Sequence, residues 1–313
     1  VTPPRLLRYN HNVTPGVHPA FGVGSTNRII VASGVPMRAE RLLTAGVAAI
    51  CLLLLGVATS VRAATILVYH SFGVNSSMSI SMAAFEAQLD YLEKNGHKVV
   101  ALEDVVRCLD ARQNPPDKAV VIAIDDGWAT VMKAYEVLKR RNLPFTLFLP
   151  MAYVANPYCT ATLSQADIDI LKTYPKITFA DHSWSHSPRL AKSEEFARDD
   201  IRKSRERFRQ VVGADPKYFA YPYGAVSEAY TRLLREAGFE YLFVTGGNPV
   251  SAATRPTAIP RIAAHRLSLP VLASVLRDHE ALVAQAGTKP TSDSSGTLLT
   301  ATQPAGKIPR NME

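Results

Sequence analysis

Cysteine is scarce in this 313-residue chain, which has three, Cys51, Cys108 and Cys159. Only Cys108 and Cys159 lie beyond residue 63, so an oxidising compartment would allow a single bridge at most. The spacing does not show whether those two meet. There is no H-E-x-x-H, which excludes the zinc-protease arrangement of two histidines around a catalytic glutamate. No stretch interleaves basic and aromatic residues as a nucleic-acid surface does, so no nucleic-acid partner is expected. No internal repeat is apparent. By length the chain has room for two domains, although single barrels commonly reach about 200 to 250 residues.

The one long apolar run is near the start. "MRAERLLTAGVAAICLLLLGVATSVRAA" passes from Met37 through two arginines into an apolar core and ends in a small-residue pattern after Ala63. This reads as a signal peptide over residues 37–63, removed on export. If it stays, residues 42–61 would tether the protein to a membrane, being nearly long enough to span one. Cys51, behind Ile50, resembles no lipoprotein cleavage site. Residues 1–36 are rich in Pro, Gly, Asn and Val without periodicity, and read as an upstream segment that is no domain. Six of the basic residues and one of the acidic ones fall within residues 1–63, so the net charge of +8 drops to +3 beyond them. The high pI is therefore partly a property of the leader. The expected location is the periplasm or outside the cell.

Beyond Ala64 short apolar runs alternate with helical patterns, as a parallel sheet with helical crossovers requires. The strand candidates are "TILVY", "HKVVA", "AVVIAID", "PFTLFLP", "KITFA", "KYFAY", "EYLFV" and "AIPRI". One helical pattern puts Phe85, Leu89 and Leu92 on one face and stops at Gly96. A second runs from about Ser193 to Val212 with a heavily charged outer face, a solvated surface rather than a ligand site. A third, "VSEAYTRLLREAG", closes on Gly238. Residues 287–313 are rich in Ser, Thr, Pro and Gly and read as a disordered tail. One α/β domain of barrel type over residues 64–286 is the economical reading.

Four features at strand ends bear chemistry. "AVVIAIDDG" ends a buried run in Asp125, Asp126 and a glycine. Neighbours on a strand face opposite ways, so both carboxylates serve one site only where the strand gives way to its loop. "HSWSH" carries His182 and His186, which one helical turn or a tight loop can aim together; two imidazoles and a carboxylate make a three-point face for a divalent cation. "YPYG" forces an irregular backbone that can offer the Tyr223 N–H to an oxyanion. "VYH" puts His70 at the end of the first strand. Trp128, Trp184, Tyr221 and Tyr223 are candidates to stack on sugar faces, although core packing is the commoner use.

In this order the motifs resemble those of the polysaccharide deacetylases of carbohydrate esterase family four, over most of residues 64–265: "AIDDG" is similar to T-F-D-D-G, "HSWSH" to H-S/T-x-x-H, and "FAYPYG" to R-x-P-Y-G. The resemblance implies a distorted (β/α) barrel and metal-dependent hydrolysis of acetyl groups, most simply N-acetyl, on a glycan. It implies Asp125 as general base, Asp126, His182 and His186 as ligands of one divalent ion (zinc, with cobalt, nickel or iron as alternatives), and the Tyr223 N–H as oxyanion donor. Where the family has an arginine before its P-Y-G, this chain has Ala220 and Tyr221. No clean C-terminal L-x-H is present; His265 and His279 read as surface helix or loop residues. These departures resemble a subgroup that includes the poly-N-acetylglucosamine deacetylases, in which an N-terminal histidine takes the acid role. His70 is the matching position, with His265 and His279 open as alternatives for the acid, and Arg261 in "IPRI" is the candidate to replace the missing arginine. The expected partner is an acetylated polysaccharide and the expected state a monomer. A non-catalytic glycan-binding protein on the same fold and a metal-dependent amidase acting on small molecules or cell-wall peptides stay open as alternatives.

Overall fold

Strand β1, Ala64–Tyr69, is buried at every position, as is β5, Ala119–Asp125, beside it. Runs of this kind are stable only with protein on both faces, which a barrel wrapped in helices supplies. The computed structural model describes residues 62–286; the leader, the segment before it and the tail read from sequence are, apart from residues 62 and 63, outside that range. β1 and β5 pair in parallel over six residues, from Ala64 with Ala119 to Tyr69 with Ile124. The circuit then runs through β6 (Phe145–Leu149), β7 (Ile177–Asp181), β8 (Tyr218–Ala220), β9 (Tyr241–Thr245) and β10 (Ile259–Ala263) back to β1, closing a parallel barrel of seven strands. The "HKVVA" run yields only the two-residue strand β4, Lys98–Val99, which pairs with the start of β5 while β6 pairs with its end. β2 (Ser71–Phe72) and β3 (Ser79–Ile80) form a separate small pair.

Alternation along the strands explains what fills the barrel. Ile66 and Val68, Val121 and Ala123, Phe148, Ala180, Ala220, Phe243 and Ile259 form one buried cluster, and the next residues of the same parity are Asp125, His182 and Arg261. Small residues near the upper layer leave room for these polar groups. The odd residues of β1, Leu67 and Tyr69, face the helices instead, with α1 (Met82–Lys94) burying Phe85, Leu89 and Leu92 against them. Helix α2, Leu102–Asp110, shares the inner cluster through Leu102, Val105, Val106 and Leu109, together with the strand-start residues Ala64, Ala119 and Tyr241. It thereby closes the end of the barrel opposite the loops that follow the strands. The outer ring continues with α3 (Val131–Arg140), α4 (Gln165–Lys172), α5 (Glu194–Val212), α6 (Glu228–Glu236) and α7 (Leu269–Ala286). α5 is capped by Ser193, whose side chain accepts from the Phe196 N–H.

Among the described residues no helix is long and apolar enough to cross a membrane. Cys108 and Cys159 are free thiols. His265 and His279, expected at the surface, are both buried. His265 belongs to a short 3-10 turn directly after β10, and His279 is held between Thr65 and Gly247.

Candidate metal centre

Asp125 is the last residue of β5 and points into the barrel; Asp126 lies beyond it with φ of 68°, in the left-handed region that non-glycine residues seldom occupy. That reversal lets two adjacent carboxylates reach one cavity. Gly127 follows at φ 61°, and a Cβ there would lie 2.6 Å from Val154 and 2.9 Å from Leu149, so only glycine fits by conformation and by space. Asp125 accepts two parallel hydrogen bonds from Arg261, 2.7 Å from Nη1 to Oδ1 and 2.9 Å from Nη2 to Oδ2, inside the barrel. Burial alone would raise the Asp125 carboxyl, but Arg261, with His182 and His70, more than offsets it and holds the pKa down at about 2.

His182 and His186 come from a tight loop after β7, not a helical turn. Its backbone turns on positive φ at Ser183 (74°) and His186 (48°). Asp181 accepts from the Ser183 N–H at 2.7 Å and from the Ser204 hydroxyl at 2.7 Å. Asp200, projecting from α5, accepts from the Trp184 N–H at 2.8 Å and the Ser185 N–H at 2.9 Å, with the Ser185 hydroxyl as a third donor. The segment between the two histidines is therefore tied to a buried carboxylate on a helix. His182 Nδ1 lies 2.8 Å from the Ala220 carbonyl. A carbonyl only accepts, so the hydrogen is on Nδ1 and Nε2 keeps a free lone pair.

That lone pair faces Asp126 Oδ1 at 3.7 Å, while His186 Nε2 is 3.3 Å from the same oxygen. Donor atoms of Asp126, His182 and His186 all lie within 4.8 Å of one another, and they form the one group of this kind among the described residues. Asp126 Oδ1 is buried without a hydrogen-bond partner; Oδ2 accepts from the Trp128 indole at 3.2 Å. Burial, followed by the neighbouring charge of Asp125, pushes the Asp126 carboxyl up against the pull of His186. An unpartnered buried oxygen beside a buried, neutral imidazole is the pattern expected of ligands to a divalent cation, and the nitrogen-rich donor set suits zinc, cobalt, nickel or iron(II).

The cleft above these groups has a volume of about 930 Å³. Its wall includes His70, just after β1, and His265, whose ring lies edge-on to that of His70 with centroids 4.6 Å apart. Burial lowers the His70 pKa to about 4, with His265 and Arg261 adding to the effect and Asp125 opposing it. Tyr223, in the Pro222–Gly224 turn, has φ of 58° and packs against His186, ring centroids 4.7 Å apart. The N–H groups of Gly224 and Ala225 close this turn onto Tyr221 and Pro222, a pair of bonds in which the Tyr223 N–H takes no part. Thus Asp125, Asp126, His182, His186, His70 and Tyr223 line one cleft, and Arg261 meets Asp125 there as well. His279 does not. Of the expected stacking aromatics, Tyr221 is buried with its hydroxyl on Thr231, and Trp184 packs partly on the core. Sequence reasoning missed Asp181 and Asp200 because one is a strand residue and the other lies on a helix whose charged face looked uniformly solvated.

Residues 112–242 match the family model for polysaccharide deacetylases. The Bacillus subtilis protein YxkH is 22% identical over 176 residues, covering 56% of this chain and 62% of that protein. A poly-beta-1,6-N-acetyl-D-glucosamine N-deacetylase of Staphylococcus epidermidis is 24% identical over 195 residues, 59% of this chain and 67% of its own length. The chain thus spans about two thirds or less of these curated relatives. IcaB from Ammonifex degensii superposes with a TM-score of 0.62 at 24% identity, over 69% of this chain and 97% of that structure, which establishes a common barrel. The matched segment runs from before β5 into β9, so the part of the chain that carries Asp125, Asp126, His182, His186 and Tyr223 is similar to the polysaccharide deacetylases, on a barrel shared with IcaB.

Proposed function

We propose that this protein hydrolyses acetyl groups, N-acetyl in the first instance, from an exported polysaccharide in the periplasm or outside the cell. A polymer of β-1,6-linked N-acetylglucosamine is the leading substrate, because relatives over the same region carry that activity in their names. The observation that carries the reading is the convergence of Asp126, His182 and His186 on one point, with an ionised Asp125 beside them.

An amide is a poor electrophile, so the site must strengthen the nucleophile, stabilise a tetrahedral oxyanion and protonate the leaving amine. A divalent cation bound by Asp126, His182 and His186 would polarise the acetyl carbonyl and bring the pKa of a water toward about 7. Asp125 takes the proton of the attacking water. Its pairing with Arg261 keeps it ionised, and each carboxylate oxygen retains a lone pair to accept with. The Tyr223 N–H donates to the oxygen on which negative charge develops. His70 rests neutral, so it serves as acid to the leaving nitrogen only after taking up a proton within the cleft. Arg261 is the positioning residue for the base, in place of the arginine absent at Ala220.

The test is acetate release from β-1,6-linked N-acetylglucosamine oligomers by the parent and by Asp125→Asn. Loss of general-base action should cost roughly 100- to 10,000-fold in rate with the metal content retained. Equal rates would overturn the assignment of the base. A metal-loaded parent that releases no acetate from any acetylated glycan would overturn the function.

A further inference from the structure

Trp128, Tyr153, Tyr158 and Tyr223 are the exposed aromatic residues among those described, at 38%, 39%, 93% and 66% exposure, and all four line the same cleft. Exposed aromatics scattered over the surface would need no explanation, but their confinement to the rim of one cavity does. We propose that this rim is a stacking surface for sugar units adjoining the one that reacts, with Tyr158 as the outermost platform. The inference rests on the proposed function for the identity of the sugar.

Three features support it. First, the rings stand on backbone that is already fixed. The Ala129 N–H donates to Ala161 at 2.9 Å, and the Leu163 N–H to Gly127 at 2.8 Å, so the Tyr153–Thr162 loop is stitched to the segment bearing Trp128. The Thr162 hydroxyl donates within that loop to the carbonyls of Tyr153 or Cys159, at 2.8 and 2.9 Å. Asn156 accepts from the Tyr158 N–H at 3.0 Å and sets the turn at the tip. A loop whose backbone is already tied down costs less to order when a ligand binds. Second, Tyr158 forgoes nearly all the burial that a tyrosine usually gains, although it sits on a hydrogen-bonded turn beside the cleft. An aromatic face matches the apolar face that a pyranose ring presents through its C–H groups, while the phenol remains in water. Third, the cleft is too large for one sugar. Its 930 Å³ is at the upper end of the roughly 300–1,000 Å³ that holds drug-sized ligands, which exceed a monosaccharide.

Calorimetric binding of β-1,6-linked N-acetylglucosamine oligomers of increasing length decides the matter, comparing the parent with Tyr158→Ala and Tyr158→Phe. Affinity should rise with length in the parent, fall roughly 3- to 10-fold for the longer oligomers in Tyr158→Ala, and return in Tyr158→Phe, which keeps the ring. A parent with no length dependence, or a Tyr158→Ala that keeps the parent's, would overturn the rim. Binding is read separately from acetate release, so a parent that binds longer oligomers more tightly yet releases no acetate would overturn the function while leaving the rim standing.

Discussion

His182 and His279 are both buried imidazoles, and their surroundings treat them in opposite ways. The Gly247 carbonyl takes the Nε2 hydrogen of His279 at 2.7 Å, and the Thr65 hydroxyl then donates to Nδ1 at 2.8 Å. Both nitrogens are satisfied, and the ring joins α7 to the first strand. His182 has one nitrogen on Ala220 and leaves the other facing two carboxylates without a hydrogen bond. Burial lowers both pKa values, that of His182 to about 3. His182 thus opens toward Asp126, whose Oδ1 is the buried polar atom left without a partner. Such an atom is costly in a folded interior and persists where a ligand completes it.

The comparison breaks most sharply under a pair of substitutions. His182→Ala should weaken zinc binding by more than about 100-fold in a chelator competition, since the effect of losing a ligand exceeds that of losing its support, and it leaves one buried group, the Ala220 carbonyl, without its partner. His279→Ala should leave zinc affinity alone and lower unfolding stability by about 1–3 kcal/mol, because Thr65 and Gly247 lose a buried partner. Equal effects of the two on zinc affinity would erase the distinction.

Asp200 sharpens the comparison from the supporting side. It touches no ligand atom, yet it accepts from both backbone N–H groups between His182 and His186. Asp200→Ala is expected to weaken zinc binding about 10- to 100-fold. An unchanged affinity accompanied by a lower melting temperature would restrict Asp200 to holding the fold.

The smallest effect is on pH dependence, measured as the urea midpoint in the presence of a chelator. Between about pH 6.5 and the low folded values of His70 (about 4) and His182 (about 3), the unfolded chain binds protons that the folded chain refuses, so stability falls with acidification. Asp125, held at about 2, adds to that loss below its ordinary value near 3.8. Asp181 acts the other way. Burial, with some help from Asp200, raises it to about 7, so it takes up a proton in the folded state and favours folding as pH drops from about 7 toward 3.8. His182→Asn should therefore flatten the loss of stability between pH 7 and 4.5, and Asp181→Asn should steepen it. The opposite order would show that other groups govern the acid side.

The strands that build the barrel were legible because each is an apolar run bounded by turn residues. All eight expected runs contain a strand, though "HKVVA" shrinks to two residues beside β5. The spacing of chemistry within "DDG" and "HSWSH" was legible too, since adjacent residues share local backbone. The contact of Arg261 with Asp125 spans 136 positions, and that of Asp200 with Trp184 crosses from a helix to a loop. A sequence pattern carries no sign of such contacts when the residue in question fits a bland helix face or strand. The misreading of His265 and His279 has the same cause: polar residues near a helix look exposed until packing buries them.

By itself the sequence determined the alternation of strand and helix, the glycine that only the turn after Asp126 requires, and the residue types able to hold a cation. Closure of the barrel decided the rest, because inward parity on separate strands aims Asp125, His182 and Arg261 at one point. Tertiary packing alone chose which histidine nitrogens stay free and gathered the exposed rings at one mouth, since both depend on partners that the chain brings near only when the barrel closes.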